Sequence, residues 1–449
     1  MNILKIIAGT AATALIMIAA TGCCKNNLDE PVNENRKVLL FYECGFNNLG
    51  DYLQSNMESP NRGLPSGYIP EKGEDVLLVY SKIPKSYYDA SHYKPKPTES
   101  YLRRIYKKKG KIISDTLKTF GTSVMAADPS TIREVLGFVK DNFPAKGYGM
   151  VFSSHGSGWL PAGYYYNPSK FEEDHRNDVS SVSPQGISPR LAIPEGSLAD
   201  TDPLYGKVRS IGQDYIEDQY FGHEMSVSEF AEAIPYHLDY ILFDMCFTAG
   251  VEVVYGLKDK TDYLGLSPAE VLGDGMFDYS RLTTFLLKNT EPDLQGLFKD
   301  SFEMYDECRY MEGKSESEKE LNRSATVNVI KTDGVENLAA VCKRLINEYS
   351  EAIGNAPTYD IQGYFRSGRH YFYDLADIFK KCGASEDDLK ELDDAINGCV
   401  IYKNATKRLL GLFDIETYSG FSMYLPCAGT PLLDSYYKKE AWNEHGSFI

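Results

Sequence analysis

Short, nearly continuous apolar runs, each bounded by polar turn residues, mark the first half of the chain. Runs of this kind are typical of strands that are covered on both faces, as they are in parallel sheets. They predict strands at 36–42, 74–80, 149–155 and 240–246. We therefore expect the first half of the chain to contain a buried sheet.

Amphipathic segments lie between these apolar runs. Apolar residues recur at helical spacing between 131 and 142, shortly after Asp128. Ser226 and Glu229 have the spacing of a capping box and begin a second predicted helix, and a third covers 251–257. This alternation predicts an α/β fold with a central, mostly parallel sheet flanked by helices.

The pattern changes at two places along the chain. Residues 160–222 are rich in Gly, Pro, Ser, Asp and Tyr without a sustained period, and long stretches of this kind are usually functional or disordered. From 281 onward amphipathic helical segments dominate, with one late strand predicted at 420–426. We expect an α/β domain at 37–280, with 160–222 as a long insertion, and a mainly helical C-terminal domain at 281–449.

The composition excludes some classes of function. The 449 residues are 43% hydrophobic and 25% charged, which is enough to bury a core. The formal net charge of -17 argues against nucleic-acid binding, which needs a basic surface. An acidic surface can attract basic peptides, but its commoner effect is to keep a protein soluble.

The N-terminus is typical of a targeting segment. A short basic start at 1–5 precedes an apolar run at 6–20, which is too short to span a membrane easily. Small residues then lead directly into Cys23, a pattern that resembles a bacterial lipoprotein cleavage site. We expect a signal peptide at 1–22, a lipid on Cys23 and a flexible tether at 23–36. This predicts a lipid-anchored protein of the bacterial cell envelope, periplasmic or on the cell surface; an ordinary secretory signal is the alternative.

The cysteine and histidine patterns do not indicate a metal site. The nine cysteines include no Cys-x-x-Cys pair, so a structural zinc site is not expected. The seven histidines are scattered along the chain. A chain of this length does not need disulfides to fold, and sequence alone cannot assign any pairing outside the cytoplasm.

Two of the predicted strands end in side chains that carry chemistry, His155 and Cys246. Ligands bind beyond the carboxyl ends of strands in an open parallel sheet, so an imidazole can lie beside a thiol there, as a cysteine nucleophile requires. Residues 247–254 look like the start of a helix, whose dipole would favour a thiolate. Taken separately, a buried cysteine and a histidine beside glycines are more often structural.

Backbone and carboxylate groups near these residues extend the candidate site. The backbone N–H groups of Gly156 and Cys246 can form an oxyanion hole, and Gly156 allows a close approach to a carbonyl because it has no Cβ. Asp244 points to the same side of its strand as Cys246. Its carboxylate can pair with a cationic substrate side chain or accept local backbone N–H groups, and the spacing does not decide between these roles.

The His-Gly pair at 155–156 and the Asp-Met-Cys stretch at 244–246 make the chain resemble the clostripain family of cysteine peptidases, which have a caspase-like fold. The order of the motifs and their rough distances agree from about Val38 to Tyr279, and the later half is covered less closely. Met245 and Phe247 are bulkier than the family pattern and leave the catalytic atoms in place. The matching stretches are 152–159, 210–214, 244–246, 250–253 and 266–275.

The resemblance implies a role for each motif. His155 and Cys246 would form the catalytic dyad, Asp244 would line the pocket for Arg or Lys, and Asp274 would be a second acid in that pocket. Some members of the family use calcium; no loop here has calcium-ligand spacing, so we expect no cofactor and leave calcium open. Members can also be activated by a cut between the His and the Cys, and the basic residues available for it are Lys170, Arg176, Arg190, Lys207 and Arg209.

The sequence thus predicts a lipid-anchored, monomeric cysteine endopeptidase of caspase-like fold, made as a zymogen. Its partners would be protein or peptide substrates with Arg or Lys at the cut site, and the membrane through the lipid anchor. One alternative is a non-catalytic caspase-like surface protein that binds peptides or partners. The other is a metal-dependent hydrolase of the same layered architecture.

Overall fold

Strands and helices alternate along the chain in the computed structural model, which describes residues 36–57, 67–84, 96–165, 168–175, 211–216, 222–366, 371–446 and 449. The strands are β1 (Lys37–Cys44), β2 (Val76–Lys82), β3 (Ser100–Lys108), β4 (Lys111–Phe120), β5 (Gly147–Ser153), β6 (Ile211–Asp214), β7 (His223–Met225), β8 (Leu238–Asp244), β9 (Thr261–Leu266), β10 (Thr326–Lys331), β11 (Tyr373–Asp374), β12 (Val400–Ala405), β13 (Arg408–Leu409), β14 (Phe413–Asp414) and β15 (Ser422–Met423).

The helices are spread over the same residues, and a π-helical turn at Thr284–Lys288 continues one of them. They are α1 (Gly50–Met57), α2 (Pro129–Asn142), α3 (Pro168–Asp174), α4 (Val227–Ala233), α5 (Val251–Leu257), α6 (Tyr279–Thr283), α7 (Leu294–Asp306), α8 (Glu316–Asn322), α9 (Val335–Glu348), α10 (Ser350–Gly354), α11 (Leu375–Lys381), α12 (Glu386–Cys399), α13 (Pro431–Tyr437) and α14 (Ala441–Gly446).

A nine-stranded sheet, in the order β12-β10-β9-β8-β5-β1-β2-β3-β4, organises the fold. The five middle strands, from β9 to β2 in that order, run parallel to one another. Antiparallel pairs extend the sheet at both ends. The predicted α/β architecture, with a mostly parallel sheet flanked by helices, is therefore confirmed.

The middle strands are buried along almost their whole length, as their apolar runs predict. On one face of the sheet, Leu39 and Phe41 of β1 belong to the same core cluster as Phe298 of α7. On the other face, the ring of Phe152 in β5 meets the ring of Phe230 in α4 at 5.1 Å between centroids. Each buried side chain of this size stabilises the fold by roughly 1.5–3 kcal/mol.

Two local signals for helix starts are confirmed. Asp128 caps α2, and its side chain accepts a hydrogen bond from the backbone N–H of Ser130. At α4 both bonds of the capping box between Ser226 and Glu229 are present. Such caps satisfy N–H groups that a helix leaves without partners in its first turn.

The C-terminal part is not a separate helical domain, and this corrects the sequence-based expectation for 281–449. Its strands β10 and β12 join the central sheet, and the described residues from Arg36 onward belong to one compact unit. β10 pairs antiparallel with β9. The pattern did not reveal β12 because this strand is only partly buried and its apolar run, 400–402, is short. The late strand predicted at 420–426 shrinks to the two residues of β15.

β3 and β4 form a hairpin that the sequence analysis also left out. Its turn is Lys109-Gly110, and both residues have positive φ, 53° and 74°, as the tight hairpin turns require. β4 is the edge strand of the sheet and is partly exposed along its length. Polar, lysine-rich edges protect sheets from pairing with other chains, but they also hide a strand from a search for apolar runs.

Within the described residues no helix is long and apolar enough to cross a membrane. The predicted signal peptide, Cys23 and the tether up to residue 35 lie outside the described residues. So does most of the insertion at 160–222, which is described at 160–165, 168–175, 211–216 and 222.

Candidate active site

His155 and Cys246 lie just beyond the carboxyl ends of two neighbouring strands. β5 and β8 pair in parallel, with Ser153 opposite Asp244. The histidine and the cysteine each follow two residues later along their strands, so they reach the same edge of the sheet at the same level. Both line one cavity of about 220 Å³. The structure thus brings together the two residues that the sequence analysis singled out.

Six separate stretches of the chain line the cavity. α1 and the loop before it contribute Leu49 and Tyr52, and the loop after β9 contributes residues 270–275. Asn322 and Leu410 come from the C-terminal part, and the sequence analysis did not place any residue of that part in the site. Neither residue belongs to a motif that points to the site, so only the folded chain reveals them.

Cys246 is partly buried and engages the loop after β9. The backbone N–H of Val271 donates to Sγ at 3.3 Å, and the thiol donates to the carbonyl of Val271 at 3.7 Å. Burial raises the pKa of the thiol to about 12, and the nearby charge of Glu270 adds to the rise. In this state the thiol is therefore protonated at neutral pH.

The expected helix start directly after Cys246 is wrong. Residues 246–249 form a turn, and α5 begins only at Val251. Phe247 has a positive φ of 58°, and its N–H donates to the carbonyl of Ala269 at 3.0 Å. That contact turns the chain before the helix can begin, so the helix dipole does not act on the thiol as the sequence analysis expected.

His155 is almost fully buried, with 3% of its surface exposed. Its Nε2 lies 2.6 Å from the Oδ1 of Asn48, which follows β1. Its carbonyl accepts a hydrogen bond from the N–H of Gly212 at 3.1 Å. The imidazole therefore lines the cavity and is held by Asn48, which does not line it.

Gly156 lies where its lack of a side chain is essential. A Cβ at this position would come within 2.7 Å of the carbonyl oxygen of Cys246 and within 2.7 Å of the Met245 side chain. The sequence analysis assigned the glycine to close approach of a substrate carbonyl. The structure shows that it already makes room for the chain that carries the cysteine.

Asp244 is 6% exposed and lines the cavity. Its carboxylate accepts hydrogen bonds from the N–H of Met276 and the hydroxyl of Tyr279, each at 2.5 Å. Burial raises its pKa, and these two hydrogen bonds oppose the rise. Asp244 thus accepts a local backbone N–H, which is one of the two roles that the sequence left open, and it also lines the cavity.

Asp274 lines the same cavity from the loop after β9 and is more exposed than Asp244. Partial burial of its carboxyl group raises its pKa. The two acids that the resemblance placed in one pocket are therefore found at one cavity.

A third acid, Glu270, also lines the cavity and is absent from the sequence-based prediction. Its Oε1 lies 3.2 Å from Nε of Arg366, and both side chains are 7% exposed. Burial raises the pKa of Glu270 to about 7, against the lowering effect of Arg366. The two residues are far apart in sequence, so no local pattern could reveal the pair.

Lys170 is the one predicted cut site among the described residues, and it does not line the cavity. Lys170 lies on α3 with an exposed side chain that pairs with Asp174 at 3.2 Å. The other predicted cut sites, Arg176, Arg190, Lys207 and Arg209, lie outside the described residues. Within the part that the structure describes, no group of three or more His, Cys, Asp or Glu side chains could hold a metal ion.

A thiol and an imidazole at the carboxyl ends of adjacent parallel strands, in a sheet extended by antiparallel strands, define a caspase-like α/β fold. The model of the clostripain family matches residues 195–440. This is more than half of the chain, and the protein belongs to the clostripain family, a family of cysteine peptidases.

Solved structures share the fold over nearly the whole chain. An inactive zymogen of a C11 protease from Parabacteroides distasonis is 22% identical, with a TM-score of 0.67, and the alignment covers 93% of this chain and 99% of that one. A secreted C11 cysteine protease from Bacteroides thetaiotaomicron is 20% identical, with a TM-score of 0.64 and coverage of 93% and 100%. No curated protein sequence gives a significant match.

Proposed function

We propose that this protein is a cysteine endopeptidase that cleaves protein or peptide chains after Arg or Lys. The observation that carries the proposal is that Cys246, His155 and Asp244 line one cavity. Membership of the clostripain family supports it. So does the shared fold with the Bacteroides thetaiotaomicron protease, which is also described in complex with an irreversible peptide inhibitor.

In the proposed reaction, His155 takes the proton from Sγ of Cys246, and the thiolate attacks the carbonyl carbon of the scissile bond. The backbone N–H groups of Gly156 and Cys246 hold the charge that develops on the carbonyl oxygen. When the C–N bond breaks, the imidazolium gives its proton to the leaving amine, and the acyl group stays on Sγ as a thioester. Water then attacks the thioester with His155 as the base, which releases the new carboxyl terminus and restores the thiol.

The two aspartates would give the cavity its preference for a cation. Asp244 is the more buried and Asp274 the more exposed, and no Lys or Arg is among the described residues that line the cavity. A guanidinium or ammonium group can pair with both carboxylates. A cation binds the ionised carboxylate, so substrate binding weakens as the pH falls through the raised pKa of Asp244.

The described state has features of an inactive precursor. The Cys246 thiol is protonated at neutral pH because burial raises its pKa to about 12. Tyr165, at the start of the insertion, packs against Phe247 next to the cysteine, with 5.9 Å between ring centroids. One solved structure of the same fold is described as an inactive zymogen. We propose that a cut within 160–222 frees the site.

The test compares peptide turnover by the protein and by its Cys246→Ala variant. Both are first cleaved with trypsin within 160–222, and the trypsin is then inactivated with a serine-directed inhibitor. We expect the variant to lose at least about 1,000-fold in turnover of a fluorogenic Arg peptide, since the nucleophile is gone. Cys427→Ala is the matched control, because Cys427 is also only partly buried and does not line the cavity. Unchanged turnover in Cys246→Ala refutes the mechanism.

Selectivity has a separate readout in the same assay. Asp244→Asn should lower kcat/KM for Arg and Lys peptides by about 100-fold, because a buried carboxylate that pairs with a cation is lost. Alkylation of Cys246 should change much less. If kcat/KM and the rate of alkylation fall equally, Asp244 is structural. If the cleaved protein turns over no basic peptide at all, the alternative of a peptide-binding surface protein is favoured.

The N-terminal pattern supports a place at the cell envelope, with a lipid on Cys23. The shared fold with a protease described as secreted agrees with export. Mass spectrometry of the N-terminal peptide from membranes of the producing bacterium should show a mature chain that begins with a lipid-modified Cys23. An unmodified N-terminus at a neighbouring residue contradicts the anchor and favours an ordinary secretory signal.

A further inference from the structure

Asn48 makes a contact with His155 that the proposed chemistry does not use. Its Oδ1 lies 2.6 Å from Nε2 of the imidazole, although 107 positions separate the two residues in sequence. Asn48 follows β1 and His155 follows β5, and these two strands pair in parallel in the centre of the sheet. The amide and the imidazole therefore lie side by side because the strands that precede them end next to each other.

The neighbours of both residues fix this contact. Asn47 is fully buried, and its Nδ2 donates to the carbonyls of Cys44 at 3.0 Å and Gln213 at 2.9 Å. On the other loop, Ser154 donates to the same carbonyl of Cys44 at 2.7 Å and accepts the N–H of Gln213 at 3.1 Å. The residues that precede Asn48 and His155 are thus tied to the backbone of the same two residues, Cys44 and Gln213, so the two side chains keep their relative position.

The amide oxygen determines which nitrogen of the imidazole carries the proton. A carbonyl oxygen can only accept a hydrogen bond, so Nε2 must donate to it. In the neutral ring, Nδ1 is then the nitrogen that can take a proton. Because the amide is uncharged, it orients the ring without the strong pull that a carboxylate would exert on the imidazolium. A ring held in this way can still release its proton to a leaving amine.

We propose that Asn48 is the positioning residue of the catalytic histidine: it holds His155 in the tautomer with the proton on Nε2 and turns Nδ1 toward the thiol chemistry. This inference rests on the proposed peptidase function. Asn48 is not among the described residues that line the cavity, whereas His155 and the adjacent Leu49 are. It therefore acts through the imidazole and does not touch the substrate.

The kinetic experiment uses the full chain, cleaved within 160–222 as above. Asn48→Ala should lower kcat about 10- to 100-fold and leave KM within about twofold, since ring orientation is lost and substrate contacts are kept. Asn48→Asp keeps an acceptor and should restore most of kcat, with the acidic limb of the pH profile moved to higher pH because the carboxylate stabilises the imidazolium. Asn347→Ala, at an exposed asparagine of α9, is the matched control.

A second readout does not depend on activity. In the Cys246→Ala background with ¹⁵N-labelled histidine, the ring nitrogens of His155 should show the tautomer protonated on Nε2, and Asn48→Ala should shift His155 to a mixture. An unchanged kcat in Asn48→Ala, or an unchanged tautomer, overturns the proposal. If Cys246→Ala keeps full turnover, the proposed peptidase function is refuted. The tautomer measurement still decides, independently of activity, whether Asn48 determines which nitrogen of His155 carries the proton.

Discussion

Two opposite charges act on the Cys246 thiol: one hinders its ionisation and the other helps it. After burial itself, the carboxylate of Glu270 contributes most to the rise in the pKa of the thiol. The N–H of Val271 and the guanidinium of Arg366 oppose that rise. Because Arg366 pairs with Glu270 at 3.2 Å, it weakens the unfavourable charge and adds a favourable one.

We therefore expect Glu270→Gln and Arg366→Gln to change the reactivity of Cys246 in opposite directions. At pH 9, above the pKa of about 7 of Glu270, Glu270→Gln should speed alkylation of Cys246 by iodoacetamide about 3- to 10-fold by lowering the pKa of the thiol. Arg366→Gln should slow it by a similar factor. The measurement is mass spectrometry of the Cys246 peptide after timed labelling.

The same digest provides the control for this experiment, because Cys427 is also partly buried and should label at an unchanged rate. Removing one partner of a buried pair can destabilise a protein by about 3–5 kcal/mol. The double variant, which leaves no unpaired charge, separates that effect from the electrostatic one. A change of the same sign in both single variants contradicts the argument.

At the scale of the elements, the site depends on how closely the loops after β5 and β8 approach each other. The two strands are in fixed parallel register, and the space between their following loops is filled at Gly156, with no room for a Cβ. Local patterns could predict these strands and the polar residues at their ends. They could not predict the separation of the loops, which depends on the side chains packed behind them.

Gly156→Ala should consequently separate the loops while the sheet stays intact. The added Cβ would lie 2.7 Å from the carbonyl oxygen of Cys246, so one loop must move by several tenths of an ångström. We expect kcat to fall at least about 100-fold, since misplacement of catalytic groups on this scale is costly, with an unchanged circular dichroism spectrum. Peptide hydrolysis by the cleaved protein measures the effect.

Gly137→Ala provides the matched substitution, because nothing lies within 4 Å of a Cβ at this position in α2. Alanine is the better helix former, so this variant should be more stable by roughly 0.5–1 kcal/mol with unchanged activity. Equal activity of the two alanine variants shows that the approach of the loops does not matter for the site.

At the scale of the whole molecule, the protein carries ionisable groups in its interior. Glu43 at the end of β1 is 2% exposed, and burial raises its pKa to about 8 against the lowering effect of Arg103. Glu252 in α5 is fully buried, and burial raises its pKa to about 7. The folded state therefore binds more protons than the unfolded chain between about pH 4.5 and pH 8.

The sign of the pH dependence follows from these raised values. Where the folded state holds the extra protons, stability is greatest at low pH and falls as the pH rises. Urea unfolding should show lower stability at pH 8.5 than at pH 5.5. Glu43→Gln should reduce the difference in stability between the two pH values by roughly 1–4 kcal/mol. The control Glu232→Gln, at an exposed position of α4, should leave that difference unchanged. An identical pH slope in Glu43→Gln and the unaltered protein argues against a protonated Glu43.

Interactions over a few residues made much of this protein predictable: the apolar runs of the parallel strands, the caps of α2 and α4, and the acid, histidine and cysteine at the strand ends. A strand that is covered on both faces and a helix cap each depend on residue types at neighbouring positions, so they leave a local pattern. The pairs Asn48–His155 and Glu270–Arg366, the strands that the C-terminal part adds to the sheet, and the high pKa of Cys246 have no such pattern. Each arises from groups distant in sequence that meet, and lose water, only when the chain is folded.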